Sequence, residues 1–149
     1  MGIKLMVSVW PTIDRNSSQF AEMREKGLLV RTERGVDHDN GISRRHGLLR
    51  SHQPKSTRAC LASWSSRTTT INGVRIFWLD EAEPEYAVYD FDHYRYHLGP
   101  NLQVGNIYPL KYAQGSTRVW PPRGRQNIVN LLRCAWAGQS TIWCARLVG

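Results

Sequence analysis

Apolar residues gather in a few short runs along this chain, each ending sharply in polar text. The first, Lys4 to Trp10 (KLMVSVW), carries two valines and is closed by Pro11, a pattern that predicts a short buried strand. The following PTIDRNSSQ is turn-like. SSQFAEMREKGLL then predicts a helix, with Ser17 or Ser18 as its N-cap, Glu22 in its first turns and Gly27 near its end. Phe20, Met23 and Leu28 supply its apolar face. A strand followed by a capped helix opens a βα unit, and such units build parallel sheets. A second strand is predicted at Val74 to Leu79 (VRIFWL) and a third at Ile128 to Cys134 (IVNLLRC). Between them, Asn106 to Gln114 (NIYPLKYAQ) reads as the start of a helix with Pro109 in its first turn.

Three other segments have a period of neither 3.6 nor 2. Residues 36–71, 115–125 and 138–149 are rich in Arg, Ser and Thr, the composition of linker or disorder. A structureless segment as long as 36–71 is uncommon inside a compact domain. The length of 149 residues suits one domain or a piece of a larger one. No run of apolar residues is long enough to span a membrane, and MGIKLMVSVW lacks the parts of a signal peptide. Gly2 does not begin a myristoylation motif, because Met6 stands where Ser or Thr is wanted. Cys60, Cys134 and Cys144 form no CxxC pair, which favours a reduced, cytoplasmic chain.

Charge changes the picture in an unexpected direction. The formal net charge is +8, which invites a nucleic-acid partner. Yet residues 72–114 carry −3, while 1–35, 36–71 and 115–149 carry +2, +4 and +5. A nucleic-acid binder gathers its basic residues on one face or helix, and here they lie in text without a period.

The acidic stretch FWLDEAEPEYAVYDFDHYRYH holds the candidate chemistry. Six carboxylates (Asp80, Glu81, Glu83, Glu85, Asp90 and Asp92) are interleaved with Tyr86, Tyr89, Phe91, Tyr94 and Tyr96. Asp80 is the first residue after the strand VRIFWL, where a (β/α)-barrel keeps its reactive groups. The competing assignment is a strand-end acid that caps the next turn. Asp90 and Asp92 lack the glycine and glutamate of a calcium loop. His38, His46 and His52 have no metal-ligand spacing, and His93 and His97 sit in loop-like text. No metal or cofactor is expected.

KLMVSVWPTIDRNS, KGLLVRTERG, the long acidic stretch running on to NIYP, and QNIVNLLRCAWAG together resemble glycoside hydrolase family 31, the α-glucosidases, α-xylosidases and related retaining enzymes. The resemblance covers residues 1–35, 72–114 and 126–137, and Trp78-Leu79-Asp80-Glu81-Ala82-Glu83 matches the family's W-x-D-x-x-E nucleophile signature. It implies an α/β fold, a partial (β/α)8 TIM barrel, with residues 1–149 as a fragment of the catalytic domain; 36–71, 115–125 and 138–149 depart from the family and read as irregular by composition. It implies Asp80 as nucleophile, with Trp78 and Glu83 beside it. Arg133 would contact sugar hydroxyls, and Trp136 and Trp10 would offer flat faces to a sugar ring, although core packing is the commoner fate of tryptophan. The implied partner is a carbohydrate, an α-glucoside or α-xyloside, with no nucleic acid and no membrane. The family places its general acid/base in a downstream Gly-Asp motif, but residues 115–149 contain no Asp or Glu. The rival readings are a basic nucleic-acid-binding protein and a non-catalytic carbohydrate-binding remnant.

The three segments outside the resemblance carry the whole net charge of +8, and the matched segments sum to zero. A shifted reading frame would produce such text, since it yields Arg, Ser and Cys in place of a balanced helix. Translating the underlying nucleotide sequence in its other two frames is therefore expected to restore family-like text between residues 36 and 71. Two frames without such text would refute the shift.

Overall fold

A computed structural model describes residues 3–33, 46–48, 76–82, 93–119, 129–138 and 144–146 of the chain. Its centre is a four-stranded parallel sheet of β1 (Met6–Val9), β5 (Ile76–Leu79), β7 (Val129–Leu132) and β8 (Cys144–Arg146). The spatial order follows the chain order, β1-β5-β7-β8. A doubly wound sheet reverses its order at a switch point, whereas a barrel adds each strand beside the last. The monotonic order is the barrel pattern.

Three of these strands fall within the runs expected from the sequence. The fourth, Cys144–Arg146, lies in the tail read as irregular and pairs in parallel with β7. Two small antiparallel pairs flank the sheet. β2 (Thr12–Asp14) pairs with β4 (His46–Leu48), so the segment 36–71 also contributes a strand despite its lack of period. β3 (Arg31–Thr32) pairs with β6 (Tyr94–Arg95). Arg95 also bonds Glu33, and His93 lies 4.0 Å from the same carboxylate.

The first helix, α1 (Phe20–Glu25), is capped by Gln19 without a side-chain bond. Neither Ser17 nor Ser18 caps it. The polar turn before the helix is instead organised by Asp14, whose carboxylate accepts from the Asn16 amide at 2.7 Å while its carbonyl accepts from Ser17 N at 3.0 Å. Its C-terminus is better specified. Gly27 takes φ +65°, Leu28 N donates to Met23 O at 2.9 Å and Gly27 N to Arg24 O at 3.0 Å. That is a Schellman closure, and its usual apolar contact is present, since Met23 and Leu28 share a core with Ile13 and Leu29.

A short helix, α2 (Asn101–Val104), leads through a 3-10 turn (Gly105–Ile107) into α3 (Tyr108–Val119). Pro109 sits in the first turn of α3, as expected. The helix continues through Gly115 to Val119, text read as irregular from sequence. Ser116 is buried there without an unmet polar group, because its hydroxyl donates within the helix to Ala113 O at 2.8 Å and Tyr112 O at 3.2 Å.

Burial alternates along the sheet. Val7, Val9, Phe77, Leu79, Asn130 and Leu132 point to one face, where Val9, Phe77, Leu79 and Leu132 pack with Ala82, Tyr112 and Ala113. Met6, Ser8, Ile76, Trp78 and Leu131 have the opposite parity and are exposed or half-buried. A parallel sheet is normally covered on both faces; among the described residues helix α3 covers one. Separately, Val30, Tyr94, Tyr96 and Tyr108 form a third core, with the Tyr96 and Tyr108 rings 5.5 Å apart and tilted by 52°.

Because a Cβ at Gly27 would meet only the Arg31 guanidinium, at an ordinary 3.8 Å, its cost there is the left-handed backbone alone. Gly27→Ala is expected to lower unfolding stability by about 1 kcal/mol in a denaturant titration.

Candidate functional site

Register fixes where the candidate residues stand. Val9 is paired with Leu79, and Leu79 with Leu132, so these three share one level across β1, β5 and β7. Trp10, Asp80 and Arg133 each follow one of them. All three therefore emerge at the C-terminal ends of consecutive strands, in one row, on the parity of the face opposite α3. Neighbouring strands lie about 4.8 Å apart, and Asp80 follows the strand that stands between those of Trp10 and Arg133. The Asp80 amide closes the Val9–Leu79 pairing, donating to Val9 O at 3.0 Å.

Burial grades the row. Asp80 is half-buried, Trp10 is 41% exposed, and Arg133 is exposed. Trp78 lies one step below Asp80 on the same face, level with Ser8 and Leu131. Its indole N–H is enclosed and has no hydrogen-bond partner among the described residues. Trp136, four residues past the end of β7, is 52% exposed. Trp10 and Trp136 are thus surface rings rather than core. Glu83 lies outside the described residues, as do Asp90 and Asp92.

Glu81 takes φ +52°, a left-handed conformation that a non-glycine residue adopts at a cost of about 1–3 kcal/mol. The turn it makes separates two neighbours with opposite needs. Asp80 stays at the rim, while Ala82, 1% exposed, drops into the core beneath the sheet. Tyr112 is a residue whose part in the site the sequence did not reveal. Fully buried on α3, it donates its hydroxyl to Val9 O at 3.1 Å. The only signal for it was its i, i+4 spacing from Tyr108 and Ser116 on a helical face.

Against this geometry, the description "Glycosyl hydrolases family 31 TIM-barrel domain" matches residues 1–144. The chain belongs to glycoside hydrolase family 31. The family match runs through the basic segments 36–71 and 115–125 as well as the acidic stretch. A curated relative, an uncharacterized family 31 glucosidase of Pseudescherichia vulneris, is 46% identical over 138 residues, covering 93% of this chain and 26% of the relative. An α-xylosidase of Saccharolobus solfataricus is 26% identical over 152 residues, covering 93% of this chain and 18% of that enzyme. The chain thus spans about a quarter or less of the length of these relatives.

Solved family 31 structures share the fold. An α-xylosidase from a soil metagenome, complexed with xylose, superposes with a TM-score of 0.85 at 46% identity, covering 96% of this chain and 21% of that one. A Flavobacterium johnsoniae dextranase complexed with glucose also gives 0.85, at 25% identity, covering 99% of this chain and 19% of that one. The family's TIM-barrel architecture agrees with the monotonic parallel sheet. It also explains why candidate residues from separate parts of the sequence converge at strand ends.

The left-handed turn after Asp80 makes a specific demand on position 81. Glu81→Val and Glu81→Gly both remove the carboxylate, but only glycine accepts φ near +50° without strain. Thermal unfolding is expected to show the valine variant about 1–2 kcal/mol less stable than the glycine variant.

Proposed function

We propose that this chain is the nucleophile-bearing sector of a retaining α-glycosidase barrel, acting on the O-glycosyl bond of an α-glucoside or α-xyloside. The single observation that carries the reading is the row Trp10–Asp80–Arg133, one residue beyond the registered level Val9–Leu79–Leu132. In a (β/α)8 barrel this is the end at which chemistry is done. The xylose-bound relative and the α-xylosidase and glucosidase relatives favour a pyranoside substrate.

In this mechanism an Asp80 carboxylate oxygen attacks the anomeric carbon as the bond to the leaving oxygen breaks. The product is a glycosyl ester on Asp80. Water then cleaves the ester at the anomeric carbon and restores the carboxylate. Arg133 presents a fork of donors to sugar hydroxyls from the next strand. Trp10, and Trp136 beyond β7, supply flat apolar faces to the ring's C–H surface. Trp78 and Glu83 complete the W-x-D-x-x-E signature around the nucleophile.

A retaining mechanism needs a second carboxyl group about 5–5.5 Å from the first, to protonate the leaving oxygen and then activate water. Residues 115–149 contain no Asp or Glu to serve as that group. General acid catalysis contributes on the order of 10²–10⁴ in rate. Residues 1–149 alone are therefore expected to act poorly on substrates whose leaving group needs a proton.

Fluoride leaves without protonation, so the nucleophile can be tested apart from the acid. Incubation with a slow-turnover fluorinated α-xylosyl or α-glucosyl fluoride is expected to add one glycosyl unit to the peptide containing Asp80, and Asp80→Asn is expected to abolish the adduct. Label on another carboxylate would overturn the assignment of Asp80. Aryl α-glucosides and α-xylosides are expected to show little or no turnover with this chain, and clear release of the aryl alcohol would overturn that expectation.

A further inference from the structure

The hydroxyl of Tyr112 is fully buried, and its acceptor lies far away in sequence, at the last residue of β1. Val9 O receives two donors, the Tyr112 hydroxyl at 3.1 Å from the helix layer and the Asp80 amide at 3.0 Å from the neighbouring strand. A carbonyl oxygen has two lone pairs, and here both are used. The Val9–Trp10 peptide plane is the last rung of the ladder on that side, where regular pairing gives way to loop. One donor would fix the oxygen as a point about which the plane can swing. Two donors from different layers fix the orientation of the plane.

We propose that Tyr112 is a positioning residue for Asp80 and Trp10. By holding the Val9 carbonyl from beneath, it sets the acceptor on which the Asp80 backbone hangs and the direction in which Trp10 leaves β1. The surrounding structure makes Tyr112 a stiff support. Its ring packs in the core with Val9, Leu79 and Leu132, and its own carbonyl accepts from Ser116 Oγ at 3.2 Å. The tyrosine lies on the helix that precedes β7 in the chain, and its hydroxyl meets the end of β1. It thereby ties the helix layer to two adjacent positions of the candidate site. The catalytic consequence rests on Asp80 being the nucleophile; the mechanical link does not.

Two measurements separate these. Tyr112→Phe keeps the ring in the core and removes only the hydroxyl, and Tyr108→Phe makes the same change one turn earlier on α3, in a different core. Amide hydrogen exchange of the present chain is expected to show the Asp80 amide exchanging about tenfold faster in Tyr112→Phe, and within about twofold of the parent in Tyr108→Phe. An unchanged Asp80 rate in Tyr112→Phe, or an equal rise in both variants, would overturn the proposal. In the second measurement, the first-order constant for capture of the α-glycosyl fluoride is expected to fall about tenfold in Tyr112→Phe, with the half-saturating concentration unchanged. Equal slowing in both variants, or a change confined to the half-saturating concentration, counts against a positioning role. If the parent chain captures no sugar, the nucleophile reading fails, while the exchange rates still decide whether Tyr112 holds Asp80.

Discussion

Everything at the rim of this sheet hangs on the pairing level Val9–Leu79–Leu132. These residues point down into the helix-backed core, where they exclude water, and their burial leaves the next residue of each strand pointing the other way. Trp10, Asp80 and Arg133 are in one row because their predecessors are in one row. Hydrophobic burial on one face thus sets the chemistry available on the other, and no contact among the three polar or aromatic side chains is needed to explain their alignment. The Val9 carbonyl adds a directional element that packing alone does not supply, since hydrogen bonds fix angles as well as distances.

The two faces of the sheet differ in what they ask of the chain. The face against α3 is satisfied by Tyr112, Ala113 and the strand residues that meet them. The face opposite α3 carries Met6, 45% exposed, together with the half-buried Ile76, Trp78 and Leu131. Its mixture of apolar side chains and an enclosed indole N–H suits the inside of a barrel better than a solvent-facing surface. That is the architecture of family 31, and the relatives that share it are roughly four to five times as long as this chain.

Much of the parallel sheet was legible in the residues. KLMVSVW, VRIFWL and IVNLLRC announced themselves as apolar runs ending in polar text, and β1, β5 and β7 fall within them. Pro109 and Gly27 were read correctly as marks of a helix start and a helix end, because their backbone restrictions are intrinsic. Ser17 and Ser18 promise an N-cap that α1 does not use, because Asp14 organises the preceding turn through its carboxylate and its carbonyl. β4, β8 and the last turns of α3 were invisible for a different reason. Their residues lack a period of their own and take their conformation from a neighbour, such as β7 for Cys144–Arg146. At the site, the position of Asp80 followed from its place after VRIFWL, but its neighbours did not. Proximity of Trp10 and Arg133 depends on a register that no single segment encodes. Tyr112 was less legible still, because a tyrosine on an apolar helix face looks like packing until its hydroxyl acceptor is known.

The alternation of side chains along β1, β5 and β7 makes the rim behave in units of one residue. Between the elements, the chain can gain or lose length by small or large steps, because loop closure responds only weakly to length. Inside β5 the situation is binary. One codon added between Phe77 and Leu79 would turn Asp80 toward α3 and bring an apolar neighbour up in its place, without removing any residue of the strand. The evolutionary history of such a site should therefore record insertions freely in its connections and almost none in its strands, with the two kinds of position separated by a single peptide bond.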